Sequence, residues 1–225
     1  VTEALSFLNP INRLPGFRAG WIGRLDGVEV TLDRDETLAR LRPVHESMVQ
    51  RDHGVGRWWR AEQVHGKEVG LVPGAELRLA GDGLPVVPGV DGLVTAAPGE
   101  MLGIYVADCG VIWLADRGTG AVGLLHSGKK GTELGILGEA VGLMARKFGT
   151  RPGDLVAVLG PCIRPPDYEV DFAAEIARQA GLAGIGEFHD EGHNTACDLD
   201  RHYSYRVEKG CTGRMLALIL REENP

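Results

Sequence analysis

Residues 101–132, MLGIYVADCGVIWLADRGTGAVGLLHSGKKGT, hold two apolar runs, one cysteine, one histidine and a Gly/Lys turn that opens a helix. Val111–Ala115 and Ala121–Leu125 are short, apolar and bounded by turn residues, which is the pattern of buried strands. Asp116-Arg117-Gly118-Thr119-Gly120 between them has turn chemistry. Folding the pair into a hairpin about Gly118 sets Cys109 opposite His126 or Ser127. Opposed side chains in an antiparallel pair have Cβ atoms about 4.5–5.5 Å apart. A thiolate and an imidazole so placed can share one metal ion or one proton.

The flanking segments extend this hairpin into a domain. On its N-terminal side, Val90–Thr95 reads as a short strand, and Trp58–Val69 as a strand that carries His65 and turns at Gly66. Pro73–Val90 is a Gly/Pro-rich connection with no assigned element. Asp33–Arg51 has helical spacing at Leu38, Leu41, Val44 and Met48, and Pro43 is expected to end or kink it. Trp21–Leu32 reads as two short strands turning at Leu25-Asp26-Gly27. On the C-terminal side, Glu133–Phe148 is the strongest helix, with Leu137, Ala140, Val141, Met144 and Phe148 on one face and Thr132 as N-cap. Leu155–Leu159 follows as a buried strand and Asp171–Ala180 as a second helix ending at Gly181. Ala183–Ala196 is expected to be a polar loop, and Tyr203–Val207 with Arg214–Leu220 a closing hairpin. The expected class is α+β, with residues 1–225 in a single domain. Mixed β-sheets lie in the middle and helices pack outside, as a layered α/β sandwich.

Composition narrows the function. Glycine supplies 33 of 225 residues, about twice its usual share, which implies many tight turns. A net charge of −7 argues against a nucleic-acid partner, although local lysines can still hold a small anion. No apolar run approaches the roughly 20 residues of a membrane span. Val1–Phe7 has no basic n-region or long apolar stretch, so no signal peptide is expected. Cys109, Cys162, Cys197 and Cys211 are widely spaced without a CxxC pair, which suggests a reducing, cytoplasmic compartment. Nothing in the pattern fixes an oligomeric state.

Three groups can carry chemistry. His65, Cys109 and His126 offer borderline-soft donors that suit zinc, and three protein ligands with one open position is a catalytic zinc arrangement; the alternative is ordinary packing of a buried cysteine and histidines. Ser127–Thr132 places two lysines and two glycines at a helix start, an anion site or else a solvated basic turn. Gly123, Gly128 and Lys129 also match a P-loop, but Lys130 stands at its Ser/Thr position and Leu124 and Leu125 look like strand interior. His189, His193 and Cys197 are a rival metal group, set against a solvated acidic loop.

The chain resembles the laccase-domain family, described as multicopper polyphenol oxidases, as peptidoglycan editing factors and as zinc-dependent purine nucleoside phosphorylases with adenosine deaminase activity. The matching segments, in order, are Gln63-Val64-His65-Gly66, Asp91 to Thr95, Ala107-Asp108-Cys109, His126–Gly131, Gly160–Ile163, Tyr168–Val170, Tyr203–Arg206 and Thr212–Met215. Trp21–Val28 is a weaker match to the family's N-terminal motif. The resemblance implies His65, Cys109 and His126 as metal ligands, with zinc as the metal and copper the alternative. It implies Arg24 and Lys130 as contacts to a nucleoside or phosphate, to which the helix-start anion site adds Lys129; the expected catalytic residues are Cys109, His126 and His65, with Asp108 beside them. Lys129-Lys130 replaces the family's Trp-Arg, and Gly110 replaces the proline after Ala-Asp-Cys; lysine keeps the charge of arginine but not its two-pronged hydrogen bonding. The leading expectation is therefore a zinc-dependent purine nucleoside phosphorylase or adenosine deaminase. The alternatives are a cysteine hydrolase using Cys109, with His126 or His65 as base and Asp108 or Asp91 as orienter, a copper-dependent phenol oxidase, and a catalytically silent protein that binds metal and nucleoside.

Overall fold

The computed structural model describes residues 3–54 and 57–223. In chain order its helices and strands are α1 (Asn9–Asn12), β1 (Phe17–Ile22), α2 (Arg34–His53), β2 (Trp59–Arg60), β3 (Val69–Leu71), β4 (Arg78–Leu79), β5 (Pro85–Val86), β6 (Gly92–Thr95), β7 (Leu102–Val106), β8 (Gly110–Asp116), β9 (Val122–Ser127), α3 (Lys129–Glu133), α4 (Ile136–Phe148), β10 (Leu155–Leu159), α5 (Phe172–Ala183), β11 (Glu187–Asp190) and β12 (Met215–Arg221). The class is the expected mixed α+β. A six-stranded sheet runs β11-β10-β8-β9-β6-β3, a four-stranded sheet runs β1-β12-β7-β2, and β4 with β5 forms a small ribbon.

The hairpin β8–β9 forms as expected and lies inside the larger sheet. Every residue of β8 is buried, because the alternation along it feeds two cores. Val111, Trp113 and Ala115 meet Ala19, Ile104 and Ala217 of the smaller sheet. Ile112 and Leu114 meet Leu137, Met144 and Ile176 of α4 and α5. The outer face of the smaller sheet, through Leu216 and Leu218, packs on Leu38 and Val49 of α2. The layers thus run helix, sheet, sheet, helix. The Trp113 indole N–H donates to the Leu218 carbonyl across the sheets at 2.9 Å.

Several segments depart from expectation. Pro43 does not split α2, which continues through it to a left-handed cap at Gly54. The Glu133–Phe148 helix is broken at Gly135, whose φ is +80°. Thr132 therefore lies inside α3 instead of capping, and its hydroxyl meets that of Ser127 at 2.9 Å. The second helix overruns Gly181 and ends at Gly184, with Asp171 as N-cap. Trp21–Leu32 is not a strand pair: β1 ends at Ile22, and the next residues turn to meet Arg201, with the Arg24 N–H donating to its carbonyl at 2.8 Å. Ala183–Ala196 contains β11, which adds parallel to β10. The closing hairpin is absent as well. Residues 203–213 are irregular backbone with turns over 205–210, and β12 instead inserts between β1 and β7.

Candidate metal centre and cavity

Trp58–Val69, expected to be a strand carrying His65 and turning at Gly66, keeps only Trp59–Arg60 and Val69 in strands and folds between them around a carboxylate. Asp91, just before β6, is fully buried. It accepts hydrogen bonds from the backbone N–H of Val64 (3.2 Å), His65 (2.8 Å) and Gly66 (2.7 Å). Gln63 and His65 take left-handed φ values of 65° and 61° to reach this arrangement. The same carboxylate meets His126 Nδ1 at 2.9 Å. His126 sits on β9, opposite Val111, and its engaged Nδ1 leaves Nε2 to face a partner. A histidine ligand oriented by a carboxylate through its second nitrogen is a recurrent feature of metal sites.

Cys109 lies one residue before β8, where Gly110 pairs with Ser127, so it is one step past the predicted register. One donor atom from each of His65, Cys109 and His126 lies within 4.8 Å of the others. The His65 and His126 rings stand edge to face with centroids 4.9 Å apart. Gly128 makes room for the thiol: a Cβ there would lie 2.6 Å from Cys109 Sγ.

The electrostatics follow from this clustering. Burial pushes the Cys109 thiol up, but the facing His126 and His65 outweigh it and hold the thiol at about 6. Burial pulls His126 down, while the Cys109 thiolate and Asp91 carry it to about 9. Burial also raises Asp91, yet its bonds to His126, Gly66 and His65 leave it below the usual carboxylate range. The thiol is thus held down and the imidazole held up, each by the other, with Asp91 supporting the imidazole from its far side. The donors fit a borderline-soft cation such as zinc.

The triad opens into a cavity of about 750 Å³. Its lining includes Arg34, Lys129, Arg206, Lys209 and Arg214, an excess of positive charge in an acidic chain. Arg34 donates to the Glu62 carbonyl (3.4 Å), and Arg214 to the Thr212 and Gly213 carbonyls (3.0 and 2.7 Å). Among the described residues neither is paired with a carboxylate, so both keep charge available to an anion. Burial lowers both, and Arg34 lowers Arg214 further. Tyr168, Phe172 and Tyr205 add aromatic surface, and the Arg206 guanidinium lies 4.8 Å over the Tyr168 ring.

The other expected site residues separate. Lys129 lines the cavity, whereas Lys130 is exposed and outside its lining. Asp108, at φ +77°, reaches the lining, but its oxygens accept from Thr195 Oγ1 (2.7 Å) and the Arg206 N–H (2.8 Å). Arg24 is outside the lining. It pairs with Glu208 at 2.9 Å and lies 4.7 Å over the Tyr203 ring, bracing the segment that carries Tyr205 and Arg206. His189, His193 and Cys197 do not converge: His189 faces Glu187 and Cys197 faces Asp167. Arg34, Tyr205, Lys209 and Arg214 escaped the sequence reading. The run of basic residues at Arg206, Lys209 and Arg214 was the one local signal for them.

Fold and site together define a two-sheet protein with a candidate three-ligand metal centre open to a small-molecule cavity. The family model described as "Multi-copper polyphenol oxidoreductase laccase" matches residues 12–181 and 170–222. The chain is 31% identical to "Purine nucleoside phosphorylase YlmD" of Geobacillus stearothermophilus, over 88% of this chain and 83% of that protein. It is 33% identical to a "Purine nucleoside phosphorylase" of Deinococcus radiodurans, over 90% and 86%. The crystal structure of YlmD from G. stearothermophilus superposes with a TM-score of 0.76, covering 93% of each chain at 27% identity. The chain belongs to this laccase-like family. Among the described residues no helix is long and apolar enough to cross a membrane.

Proposed function

We propose that this protein is a zinc-dependent purine nucleoside phosphorylase acting on adenosine-like nucleosides, with deamination of adenosine as a second activity of the same centre. The observation that carries this reading is the His65–Cys109–His126 triad facing a cavity lined by aromatic rings and by cations, of which Arg34 and Arg214 have no carboxylate partner among the described residues. The names of the relatives point the same way.

In phosphorolysis a phosphate oxygen attacks C1′ of the ribose, the glycosidic bond breaks, and the base leaves with a proton. Arg34, Lys129 and Arg214 supply positive charge to hold the phosphate and to stabilise charge that builds as the bond breaks. Tyr168 and Tyr205 offer ring faces for a flat base. Zinc, when bound, supplies Lewis-acid polarisation. Asp91 keeps the His126 proton on Nδ1, and Asp108 holds the Arg206 backbone at the cavity wall. Three protein ligands with an open position is also the layout of hydrolytic zinc sites, which supports the deaminase activity.

The test is incubation of zinc-loaded protein with adenosine, with and without phosphate, followed by chromatography. Adenine and ribose 1-phosphate formed only with phosphate are expected for phosphorolysis, and inosine for deamination. Unchanged adenosine in both reactions refutes the proposal. Cys109→Ala should abolish zinc retention at the triad and turnover together.

A further inference from the structure

Away from the cavity, the segment after β11 gathers a second set of donors. One ligand atom from each of His193, Asp198 and His202 lies within 4.8 Å of the others. His193 Nε2 is 3.6 Å from Asp198 Oδ2, and the two imidazole centroids are 5.0 Å apart. His202 is only 3% exposed. Its Nδ1, like His193 Nε2, is buried without a hydrogen-bond partner among the described residues. Leaving such nitrogens unsatisfied costs free energy, and two of them beside one carboxylate form an arrangement that a cation completes.

We propose that His193, Asp198 and His202 form a second metal site, one that takes zinc or a similar borderline divalent cation and fastens the loop beside the first centre. The donors are two imidazole nitrogens and one carboxylate oxygen, a set that suits zinc with solvent as the fourth ligand. The backbone already shapes the site. The N–H groups of Arg201 and His202 donate to the Asp198 carbonyl at 3.3 and 3.0 Å, so Asp198 and His202 share one turn. His193 is tied at both ends: its N–H donates to Glu191 at 2.7 Å, and its carbonyl accepts from the Cys162 N–H at 3.2 Å. The Arg201 guanidinium, 3.9 Å from Asp198 and half exposed, is free to swing into solvent.

The site reaches the first centre through one residue. Thr195, between His193 and Asp198, donates its hydroxyl to Asp108, the neighbour of Cys109. The His202 carbonyl also accepts from Arg24 at 3.3 Å. An ion joining His193 to Asp198 and His202 therefore limits the motion of the loop that supports Asp108. The role is positional, and the inference is independent of the substrate proposed above.

The experiment is a titration of metal-stripped protein with cobalt(II), a spectroscopic stand-in for zinc. Cobalt bound by Cys109 shows a thiolate charge-transfer band; cobalt bound by nitrogen and oxygen donors alone does not. Wild type is expected to bind two equivalents. His193→Ala and Asp198→Asn are expected to bind one and keep the thiolate band, and Cys109→Ala to bind one without it. The retained band shows that each variant is folded. Should His193→Ala lose it, the nearly isosteric Asp198→Asn decides. Wild type binding a single equivalent that Cys109→Ala removes, or a folded His193→Ala or Asp198→Asn still binding two, overturns the proposal. Turnover plays no part in this readout, so failure of the nucleoside assay leaves it intact.

Discussion

Asp91→Asn asks whether one carboxylate assembles the first centre. The native side chain is fully buried and accepts from three backbone N–H groups and from His126. An amide has one accepting atom where the carboxylate has two. If its oxygen keeps the place facing His65 and His126, its NH2 points at the N–H groups of Val64 and Gly66. Two bonds to a charged acceptor are then lost, each worth roughly 1.5–3 kcal/mol. If the amide is reversed, its NH2 faces the His65 N–H and His126 Nδ1. His126 must then carry its proton on Nε2, the nitrogen a metal needs. Taking the lower end for two lost bonds, the fold weakens by about 3 kcal/mol. At roughly 2–4 °C per kcal/mol for a chain of this size, the melting temperature falls by about 6–12 °C. Loss of such an orienting partner also costs roughly 10–100-fold in metal affinity. Thermal unfolding of metal-free protein measures the first effect, and competition with a chelator the second. A variant that melts within about 2 °C of wild type and binds zinc within about twofold refutes this account of Asp91.

Other perturbations separate further roles. Gly128→Ala places a methyl group against the Cys109 thiol and should lower zinc affinity by at least about tenfold, read by the same competition. Lys129→Ala should raise KM for phosphate by about tenfold, a loss of about 1.4 kcal/mol, while Lys130→Ala leaves it unchanged; equal effects in steady-state kinetics would contradict the placement of these lysines. In metal-free protein, alkylation of Cys109 followed by mass spectrometry should have its midpoint near pH 6, and His126→Ala should move that midpoint upward. His45 is fully buried, both its ring nitrogens lack partners among the described residues, and burial lowers it to about 4. The unfolded chain takes up this proton first, so stability drops as pH falls from about 6.5 towards 4, by roughly 3 kcal/mol in total. His45→Leu should flatten that part of the pH–stability curve measured by denaturant unfolding.

The parts of the fold that could be read in the sequence are those whose backbone bonds are local or whose faces are uniformly apolar. β8, β9 and β10 are buried on both sides and appear as continuous apolar runs between turns. The amphipathic face of α4 survives the break at Gly135 because its inward residues still recur at helical spacing. Residues 61–68 and 203–213 were misread for the opposite reason. Their backbone donors are satisfied partly by side chains far away in sequence: the His65 N–H finds Asp91 26 residues on, and the Arg206 N–H finds Asp108 98 residues back. Local propensity carries no trace of such a partner. Cys109 and His126 were legible because one hairpin carries both. Arg34 and Arg214 were not, because they begin α2 and precede β12 and meet only once the layers stack.

The same contrast separates the buried aspartates Asp91 and Asp108. Each accepts at least one backbone N–H from a distant loop, and each lies within a family-like motif in the sequence. Of the two, Asp91 also touches a ring of the candidate triad, through His126 Nδ1. The bonds of Asp108 go to Thr195 and Arg206, one on the loop of the second donor cluster and one on the cavity wall. Asp91 therefore acts on the protonation state of His126, and Asp108 on the position of the wall. Removing Asp91 should change zinc affinity first and substrate affinity only as a consequence. Removing Asp108 should loosen Arg206 and raise KM while the triad retains its metal. Asp108→Asn that loses zinc as severely as Asp91→Asn would place Asp108 in the metal centre itself.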